Sequence, residues 1–216
     1  PILPAALHNR ENRLGSLSEM VRWLGEQATA LGVDIFPGFG AAQLLFEDDR
    51  GRVAGIVTNE LGRGKDGKER AGYTPGMALR AKLTLLAEGA HGSLSKQAIA
   101  RFGLRRGVQT YGLGLKEVWQ VAADRHQPGL VMHTVGWPLD SQTYGGSFMY
   151  HYKGAEEQPL VSLGLVVGLD YRNPYLNPYR EFQRLKLHPL LRETLKDSRC
   201  LSYGARALNE GGYQSI

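Results

Sequence analysis

The sequence predicts a mixed α/β (α+β) fold in which a largely antiparallel sheet follows a first half of alternating helices and strands. Three observations predict it. A capped amphipathic helix spans residues 16–31, short apolar runs bounded by turn residues lie between residues 33 and 87, and four longer strand-like runs follow between residues 111 and 169. The 216 residues are enough to bury a core without disulfide bonds.

The first half combines two helices with short strands. Ser16 and Glu19 form a capping-box pattern, apolar residues follow at helical spacing, and Gly32 ends the helix. Strands are predicted at 33–36, at 42–47 and 53–58 as a hairpin, and at 79–87, with a charged, Gly-rich loop at 60–76. A second helix is predicted at 93–102, with Ser93 as its N-cap.

The second half is predicted to be strand-rich. Strand-like runs at 111–121, 130–136, 144–152 and 160–169 are bounded by Gly, Pro or Asp, which favours an antiparallel meander. A helix then begins with Asn177 as N-cap and Pro178 as its first residue, turns Phe182 and Leu185 inward, and ends before His188. Residues 199–216 indicate a strand and a glycine turn.

Composition excludes several classes of protein. Cys200 is the single cysteine, so these residues alone form no disulfide framework, four-cysteine zinc site or cysteine-ligated iron–sulfur cluster. The six histidines lack metal-ligand spacing, so no metal site is predicted. The longest apolar run, 160–169, is far shorter than the roughly 20 residues of a membrane helix. The net charge of +5 is scattered, so no nucleic-acid partner is expected.

Two motif matches are rejected because the context that each motif requires is missing. Residues 62–67 match GxGxxG, but no helix follows to receive a pyrophosphate, so a solvated loop is the better interpretation. Residues 93–96 match the S-x-x-K pattern of acyl-serine enzymes, but the partner motifs of that class are missing. No catalytic side chain is predicted.

Two glycine-containing turns are candidate binding sites. Glu88, Gly89, His91 and Gly92 lie where an apolar strand passes into a helix, a geometry that brings backbone close to a cofactor but that also occurs in generic strand–turn–helix units. The segment 144–148 places two glycines at the start of an aromatic strand. This either presents backbone hydrogen-bonding groups to a flat carbonyl ligand or forms a β-bulge.

Long strings in the second half resemble the electron transfer flavoprotein–ubiquinone oxidoreductase family, and the resemblance covers essentially the whole chain in order. They are TVGWPLD (134–140), TYGGSF (143–148), GLVVGLDY (164–171), NPY (173–175), REFQR (180–184) and YGARALNEGG (203–212). Such long strings are far more specific than a three-glycine pattern.

The resemblance implies an FAD enzyme that also contains a four-iron four-sulfur cluster and passes electrons from reduced electron transfer flavoprotein to ubiquinone in the respiratory chain. It implies that Gly145 and Gly146 supply backbone hydrogen bonds to a quinone carbonyl, with Tyr144 and Phe148 as neighbours. It also implies that the Glu88–Gly92 turn contacts FAD. Related hydroxylase-like flavoproteins usually have Asp-Gly where this chain has Glu88 and Gly89.

The resemblance further implies a domain plan: residues 1–107 as part of an FAD-binding domain of the hydroxylase-like flavoprotein type, 108–198 as a quinone-binding sheet, and 199–216 as a return into the FAD-binding domain. The family's GxGxxG and cluster cysteines are absent, so the chain is expected to be an internal, inactive piece of a longer enzyme. That enzyme is expected to be monotopic on the bacterial cytoplasmic membrane or on the matrix side of the mitochondrial inner membrane.

Alternatives stay open at this point. Another flavoenzyme of the hydroxylase fold, such as a prenyl reductase, or a non-catalytic quinone- or lipid-binding module fits the same strand pattern. The basic residues Arg180, Arg184 and Lys186 share one helix. They face lipid headgroups or an acidic partner protein, or they form a solvated face, which is the better interpretation.

Overall fold

A computed structural model describes residues 11–47 and 51–210 and divides them into two compact units. Residues 33–109 form one unit, and the described residues up to 32 together with those from 110 onward form the other. The elements in chain order are α1 Leu17–Ala30, β1 Ala41–Phe46, β2 Val53–Thr58, β3 Leu61–Arg63, β4 Glu69–Thr74, β5 Ala78–Arg80, α2 Ser93–Phe102, β6 Thr110–Gln120, β7 Val131–Val135, β8 Gly145–Lys153, β9 Pro159–Gly168, α3 Pro178–Leu185, α4 Pro189–Leu195 and β10 Arg199–Glu210.

The unit of residues 33–109 contains a three-stranded sheet in the order β1-β2-β5 and a separate hairpin of β3 and β4. The predicted hairpin of β1 and β2 is confirmed, and residues 48–50 of its turn lie outside the described part of the chain. The loop prediction for 60–76 is wrong: Gly62 and Gly72 adopt positive φ values of 79° and 86°, and their backbone supports the β3–β4 pairing. No helix follows this hairpin directly, so the GxGxxG match has no phosphate-binding context.

Two further predictions in this unit are wrong. Residues 33–36 form no strand, and the predicted strand 79–87 is regular only in β5, at Ala78–Arg80. Helix α2 has its predicted bounds, but its N-cap is Gly92 and Ser93 is its first helical residue. Strand propensity alone is a weak guide where no neighbouring strand supplies ladder hydrogen bonds.

The other unit is built on a five-stranded antiparallel sheet in the order β10-β6-β9-β8-β7. The four predicted strands are confirmed as β6 to β9. The meander is correct for β7, β8 and β9, whereas β6 lies between β9 and β10 and does not pair with β7. The chain therefore crosses the sheet between β6 and β7, so that β6 pairs with β9. The spacing of the strands along the sequence does not predict this pairing.

One face of this sheet is covered by α3 and α4. Leu163, Leu165 and Val167 of β9 have no exposed surface, and Phe182 and Leu185 of α3 are each 2% exposed. These side chains belong to one apolar cluster, which is the core of the unit. The predictions that Asn177 caps α3 and that Phe182 and Leu185 point inward are confirmed, with Asn177 Oδ1 accepting the Arg180 N–H at 3.1 Å.

Helix α1 has the predicted cap, because Ser16 Oγ accepts the Glu19 N–H at 3.4 Å. Its apolar residues are exposed, and none of its residues is buried. The sequence analysis does not predict the short helix α4, which follows His188, because Pro189 is equally compatible with the end of one helix and with the first turn of another.

The strand β10 bears on the expected domain plan. It pairs with β6 from Arg199 to Glu210, so the sheet extends through residue 210, beyond the boundary expected at 198. The assignment of flanking residues to an FAD-binding domain stays a prediction. Within the described ranges 11–47 and 51–210, no helix is long and apolar enough to cross a membrane, and no group of His, Cys, Asp or Glu is arranged to hold a metal ion.

Candidate functional site

The paired glycines lie where β8 begins, at the point where its neighbour β7 has just ended. The β7–β8 ladder runs from Val131, opposite Tyr150, to Val135, opposite Gly146. The ladder to β9 continues one residue further, with Gly145 opposite Val167. The first residue of β8 therefore has a strand on one side only.

The direction of the ladder hydrogen bonds distinguishes the two glycines. His151 exchanges hydrogen bonds with the β7 side, donating to Leu130 O at 2.9 Å and accepting from Gly129 N at 3.0 Å, whereas Tyr144 O accepts from Gly168 N at 2.8 Å on the β9 side. Since these directions alternate along an antiparallel strand, Gly146 bonds to β9, and the N–H and C=O of Gly145 point past the end of β7. Gly145 is thus the glycine whose backbone groups are directed away from the sheet at this edge, and its contact with a quinone stays a prediction.

Side chains are excluded at both glycines. A Cβ at Gly145 would lie 2.6 Å from Leu139 Cδ1 and against the Val166 carbonyl oxygen, and the backbone there has a φ of 156°. A Cβ at Gly146 would collide with the Thr134 carbonyl oxygen. Strand packing by itself therefore requires glycine at both positions.

Exposed aromatic side chains lie in the chain segments that adjoin this edge. Tyr144 is 67% exposed and lies over Gly168, whose added Cβ would be 3.2 Å from Tyr144 Cδ1. The exposed Trp137 ring lies 5.7 Å from the His188 ring, between centroids. Trp137 follows the end of β7 by two residues, and we call this edge, with Gly145, Tyr144 and Trp137, the mouth of the candidate site.

Phe148 follows three residues after Gly145. It projects from the face of the sheet opposite α3 and α4, because Gly146, Phe148 and Tyr150 alternate with the core residues of β8. The Phe148 ring lies directly against Gly164 and stacks on Tyr150 at a centroid distance of 4.9 Å. The structure therefore places Tyr144 and Phe148 on one face, next to the glycine pair.

Comparison with known proteins identifies this sheet. A family model described as "ETF-QO, ubiquinone-binding" matches residues 111–208. Residues 111–208 belong to this ETF-QO ubiquinone-binding domain family. The matched segment contains Gly145, Gly146, Tyr144 and Phe148, and it ends within β10, in agreement with the five-stranded sheet.

Relatives of the whole chain have the same family name. The chain is 56% identical to the mitochondrial electron transfer flavoprotein-ubiquinone oxidoreductase of Homo sapiens, 52% identical to that of Dictyostelium discoideum and 51% identical to that of Caenorhabditis elegans. These alignments cover 99–100% of this chain and 35–36% of each relative. The chain thus spans about a third of the length of the curated relatives that it matches.

The second candidate site lies in the other unit, at the start of α2. The Glu88 carboxylate accepts hydrogen bonds from Leu94 N at 3.2 Å and Ser95 N at 2.7 Å. It also accepts from Ser95 Oγ at 2.8 Å. Desolvation opposes ionisation, but the hydrogen bonds from Ser95, Leu94 and Ser93 prevail and lower the pKa of Glu88.

This arrangement restricts what the Glu88–Gly92 turn can bind. Two of the N–H groups at the start of α2 are already occupied, and a Cβ at Gly92 would collide with the Glu88 side chain. Gly89 has a φ of 76° and open space around its Cβ position, so its backbone is accessible. Contact of Glu88, Gly89, His91 and Gly92 with FAD stays a prediction, and Gly89 fits it best.

Thr84 is the residue at this site that sequence reasoning missed. A cavity of about 460 Å³ is lined by Gly55, Leu79, Thr84, Glu88 and others. Within the described residues, Thr84 Oγ1 is buried there without a hydrogen-bond partner. An orphaned hydroxyl beside Glu88 fits a polar ligand such as part of a dinucleotide, but a threonine in an apolar run provides no sequence signal.

Proposed function

We propose that this chain forms the ubiquinone-binding part of an oxidoreductase that takes electrons from reduced electron transfer flavoprotein and delivers them to ubiquinone. The observation that carries the proposal is the edge at Gly145, in a domain of the ETF-QO ubiquinone-binding family. The identity of 51–56% to enzymes with that name supports the same activity for the whole protein.

The Gly145 N–H is the proposed donor to one quinone carbonyl oxygen. A donor held at the end of a paired strand needs no reorganisation, so it orients the quinone ring and favours the negative charge that develops on the oxygen during reduction. Tyr144 and Phe148 flank the ring and exclude water. No nucleophile or catalytic side chain is required of this chain, because a flavin, when bound, supplies the electron transfer itself.

FAD and the iron–sulfur cluster complete the proposed enzyme. Residues 33–109, with the Gly89 backbone and Thr84, contribute to an FAD-binding domain of the hydroxylase type that flanks the sheet. The iron–sulfur cluster is held by ligands outside this segment, because the segment has a single cysteine, Cys200. Electron transfer flavoprotein is the proposed electron donor.

The proposed location is the surface of the inner membrane, where ubiquinone is dissolved. Exposed apolar side chains are present in the segments next to the mouth, among them Val135 (87% exposed), Trp137, Leu187 and Leu190. Between residues 171 and 196 the chain has five exposed basic residues and two acidic ones, apart from Lys186, which is almost buried. Exposed aromatic, aliphatic and basic side chains together are typical of a peripheral membrane surface.

The test uses the full-length protein and a Tyr144→Ala variant. The wild type is expected to reduce a short-chain ubiquinone with electrons from reduced electron transfer flavoprotein. Tyr144→Ala is expected to raise KM for the quinone about tenfold and to leave the flavin content unchanged, because a flanking aromatic ring contributes roughly 1–3 kcal/mol on burial.

Tyr203 is the matched control, because it is 86% exposed in the same unit and lies on β10, at the opposite end of the sheet from β7. Tyr203→Ala is expected to retain the wild-type KM. A wild-type protein that contains flavin and iron but fails to reduce ubiquinone would contradict the proposed function. An unchanged KM in Tyr144→Ala would contradict the placement of the site.

A further inference from the structure

The cross-strand pair that precedes the glycine edge is polar. Thr134 of β7 lies opposite Ser147 of β8, and their hydroxyl oxygens are joined by a short hydrogen bond. Both side chains project from the face of the sheet that α3 and α4 cover, because Ser147 also lies opposite the fully buried Leu165 of β9. Ser147 is 5% exposed, so a hydroxyl pair lies in the core where the neighbouring pair on that face, Met132 and Met149, is apolar.

This pair is also the last one at which β7 and β8 exchange backbone hydrogen bonds. The ladder hydrogen bonds alternate along β8, and Ser147 directs its N–H and C=O to β7. If the register continued, Gly136 would lie opposite Gly145. Gly136 instead has a φ of 82°, and its carbonyl oxygen accepts the Leu139 N–H at 3.0 Å in a turn. The strand β7 therefore leaves β8 directly beyond the pair of Thr134 and Ser147.

The hydroxyl bond lies at the point where the ladder is easiest to open. Strand ends open more readily than strand centres, because they have fewer packed neighbours. Val135, the last residue of β7, is 87% exposed, so its side chain adds little packing there. Gly146 lies opposite Val135 and contributes no side chain. The bond between Thr134 and Ser147 is thus well placed to hold the end of β7 against β8.

Stability alone does not require a polar pair at this position. When both partners of a buried hydrogen bond are replaced by apolar groups of the same shape, the change is often nearly neutral or even stabilising. A hydrogen bond differs from an apolar contact in that it has a preferred distance and direction. A hydroxyl pair in the core, next to an edge of unpaired backbone, therefore points to a positional role.

We infer that Thr134 and Ser147 are positioning residues for the quinone site: their hydrogen bond holds the end of β7 against β8 and so fixes the direction of the Gly145 N–H. The inference rests on the proposed function, in which that N–H donates to a quinone carbonyl. When the pair opens, β8 loses its neighbour two residues from Gly145, and the donor is no longer held in one orientation. The closed pair raises the fraction of the protein that is ready to bind, and the apparent affinity for the quinone follows that fraction. Neither hydroxyl contacts the quinone or transfers a proton.

The first test is amide hydrogen exchange in the full-length protein without quinone. Thr134→Val keeps the shape of the side chain and removes its hydroxyl. Exchange of the Ser147 N–H is expected to become about fivefold faster than in the wild type, because the end of the ladder loses one hydrogen bond. Thr134→Ser keeps the hydroxyl and is expected to restore slow exchange. Wild-type exchange in Thr134→Val would overturn the inference.

The second test is steady-state reduction of a short-chain ubiquinone. Thr134→Val is expected to raise KM for the quinone about fivefold and to leave kcat and flavin content unchanged, because only the fraction that is ready to bind falls. Thr134→Ser is expected to return KM to near the wild-type value. Failure of this rescue would assign the effect to the methyl group and overturn the role of the hydroxyl.

Ser162→Ala is the matched control. Ser162 is 3% exposed, and its Oγ donates to Tyr152 Oη at 3.4 Å between β9 and β8. It lies opposite Tyr150, further along β8 from Gly145 than Ser147 is. Ser162→Ala removes a buried hydroxyl from the same sheet and is expected to retain the wild-type KM. A rise in KM equal to that of Thr134→Val would show that any loss of stability has this effect, and the inference would be overturned.

A double variant keeps the test decisive if Thr134→Val does not fold. Thr134→Val by itself leaves the Ser147 hydroxyl buried without a partner, which is costly. Thr134→Val combined with Ser147→Ala removes both hydroxyls, so it is expected to fold and to show faster exchange and a higher KM than the wild type. A wild-type KM in the double variant would overturn the inference.

These outcomes can be told apart from failure of the proposed function. A wild-type protein that contains flavin but does not reduce ubiquinone would contradict the proposed function. The exchange measurement would then still decide whether the hydroxyl pair holds the end of β7. A wild type that reduces ubiquinone, with the same KM in the double variant, would overturn the inference and leave the proposed function intact.

Discussion

The two faces of the five-stranded sheet are built from the same strands and have opposite properties. Along β9, Leu163, Leu165 and Val167 are fully buried under α3 and α4, while Gly164 and Gly168 alternate with them on the other face. The covered face is filled with branched aliphatic side chains, whereas the other face has glycines among Val166, the aromatics of β8 and charged residues such as Lys116 and Arg206. The period of two thus lets one strand pack a core on one face and leave its backbone less covered on the other.

The sharpest way to break this comparison is to truncate one apolar side chain in the core beneath the covered face and one on the other face. Phe182→Ala is expected to cost about 4 kcal/mol, because it leaves a cavity in the core beneath the covered face. Val166→Ala on the other face is expected to cost less than about 1 kcal/mol, because the half-buried side chain leaves no closed cavity. Urea unfolding followed by circular dichroism measures both, and equal losses would contradict the distinction between the faces.

A second comparison uses charges. Glu117 projects into the covered face, where Lys186 Nζ lies 2.9 Å from both carboxylate oxygens and Trp119 Nε1 donates at 2.8 Å. Both charged side chains are almost buried, at 10% and 14% exposure. Lys186→Met is expected to cost about 3 kcal/mol, because it leaves Glu117 buried with an uncompensated charge.

The control for that variant is Glu117→Gln combined with Lys186→Met, which removes both charges. The double variant is expected to recover most of the free energy of unfolding that Lys186→Met loses, as measured in urea. A double variant that is as unstable as Lys186→Met would indicate that packing of the lysine stem, and not its charge, supplies the effect.

The smallest effect concerns pH. His151 is 1% exposed on the covered face, accepts the Gln127 N–H through Nδ1 at 3.1 Å and stacks on His126 at 5.5 Å. Burial lowers the pKa of His151, and the charge of His126 lowers it further. The pKa of His151 is therefore lower in the folded protein than in the unfolded chain. The contribution of neutral His151 to the free energy of unfolding is complete above the unfolded pKa of about 6.5 and declines as pH falls below it.

Unfolding free energies at pH 7.5 and 5.5 check this expectation. The wild type is expected to be less stable at the lower pH, and His151→Gln is expected to show a smaller difference between the two values. The same difference in both proteins would assign the pH dependence to other groups.

Local signals explain which predictions succeeded. Ser16 and Asn177 cap their helices through side-chain oxygens and N–H groups three residues away, so short sequence patterns contain the whole interaction. The cap of α2 could not be found in this way, because Glu88 reaches the N–H of Ser95 from seven residues away across a turn.

The sheet order and the details of the site required long-range contacts. The pairing of β6 with β9 joins residues about fifty positions apart, and no spacing rule selects it over pairing with β7. The sequence identifies Gly145 and Gly146 as a pair. The structure adds that β7 ends at Val135, so the backbone groups of Gly145 point past the end of β7 while those of Gly146 face β9. The hydroxyl of Thr84 becomes notable only once its burial is known.

The single strand β8 carries both the Gly145 edge and Phe148. Three residues of extended chain span roughly 10 Å, so covalent geometry fixes the spacing between the backbone donor and the Phe148 ring that are proposed to contact the quinone. A strand that is bonded to neighbours on both sides changes its length very little. The proposed quinone site would therefore keep its dimensions while other parts of the enzyme move.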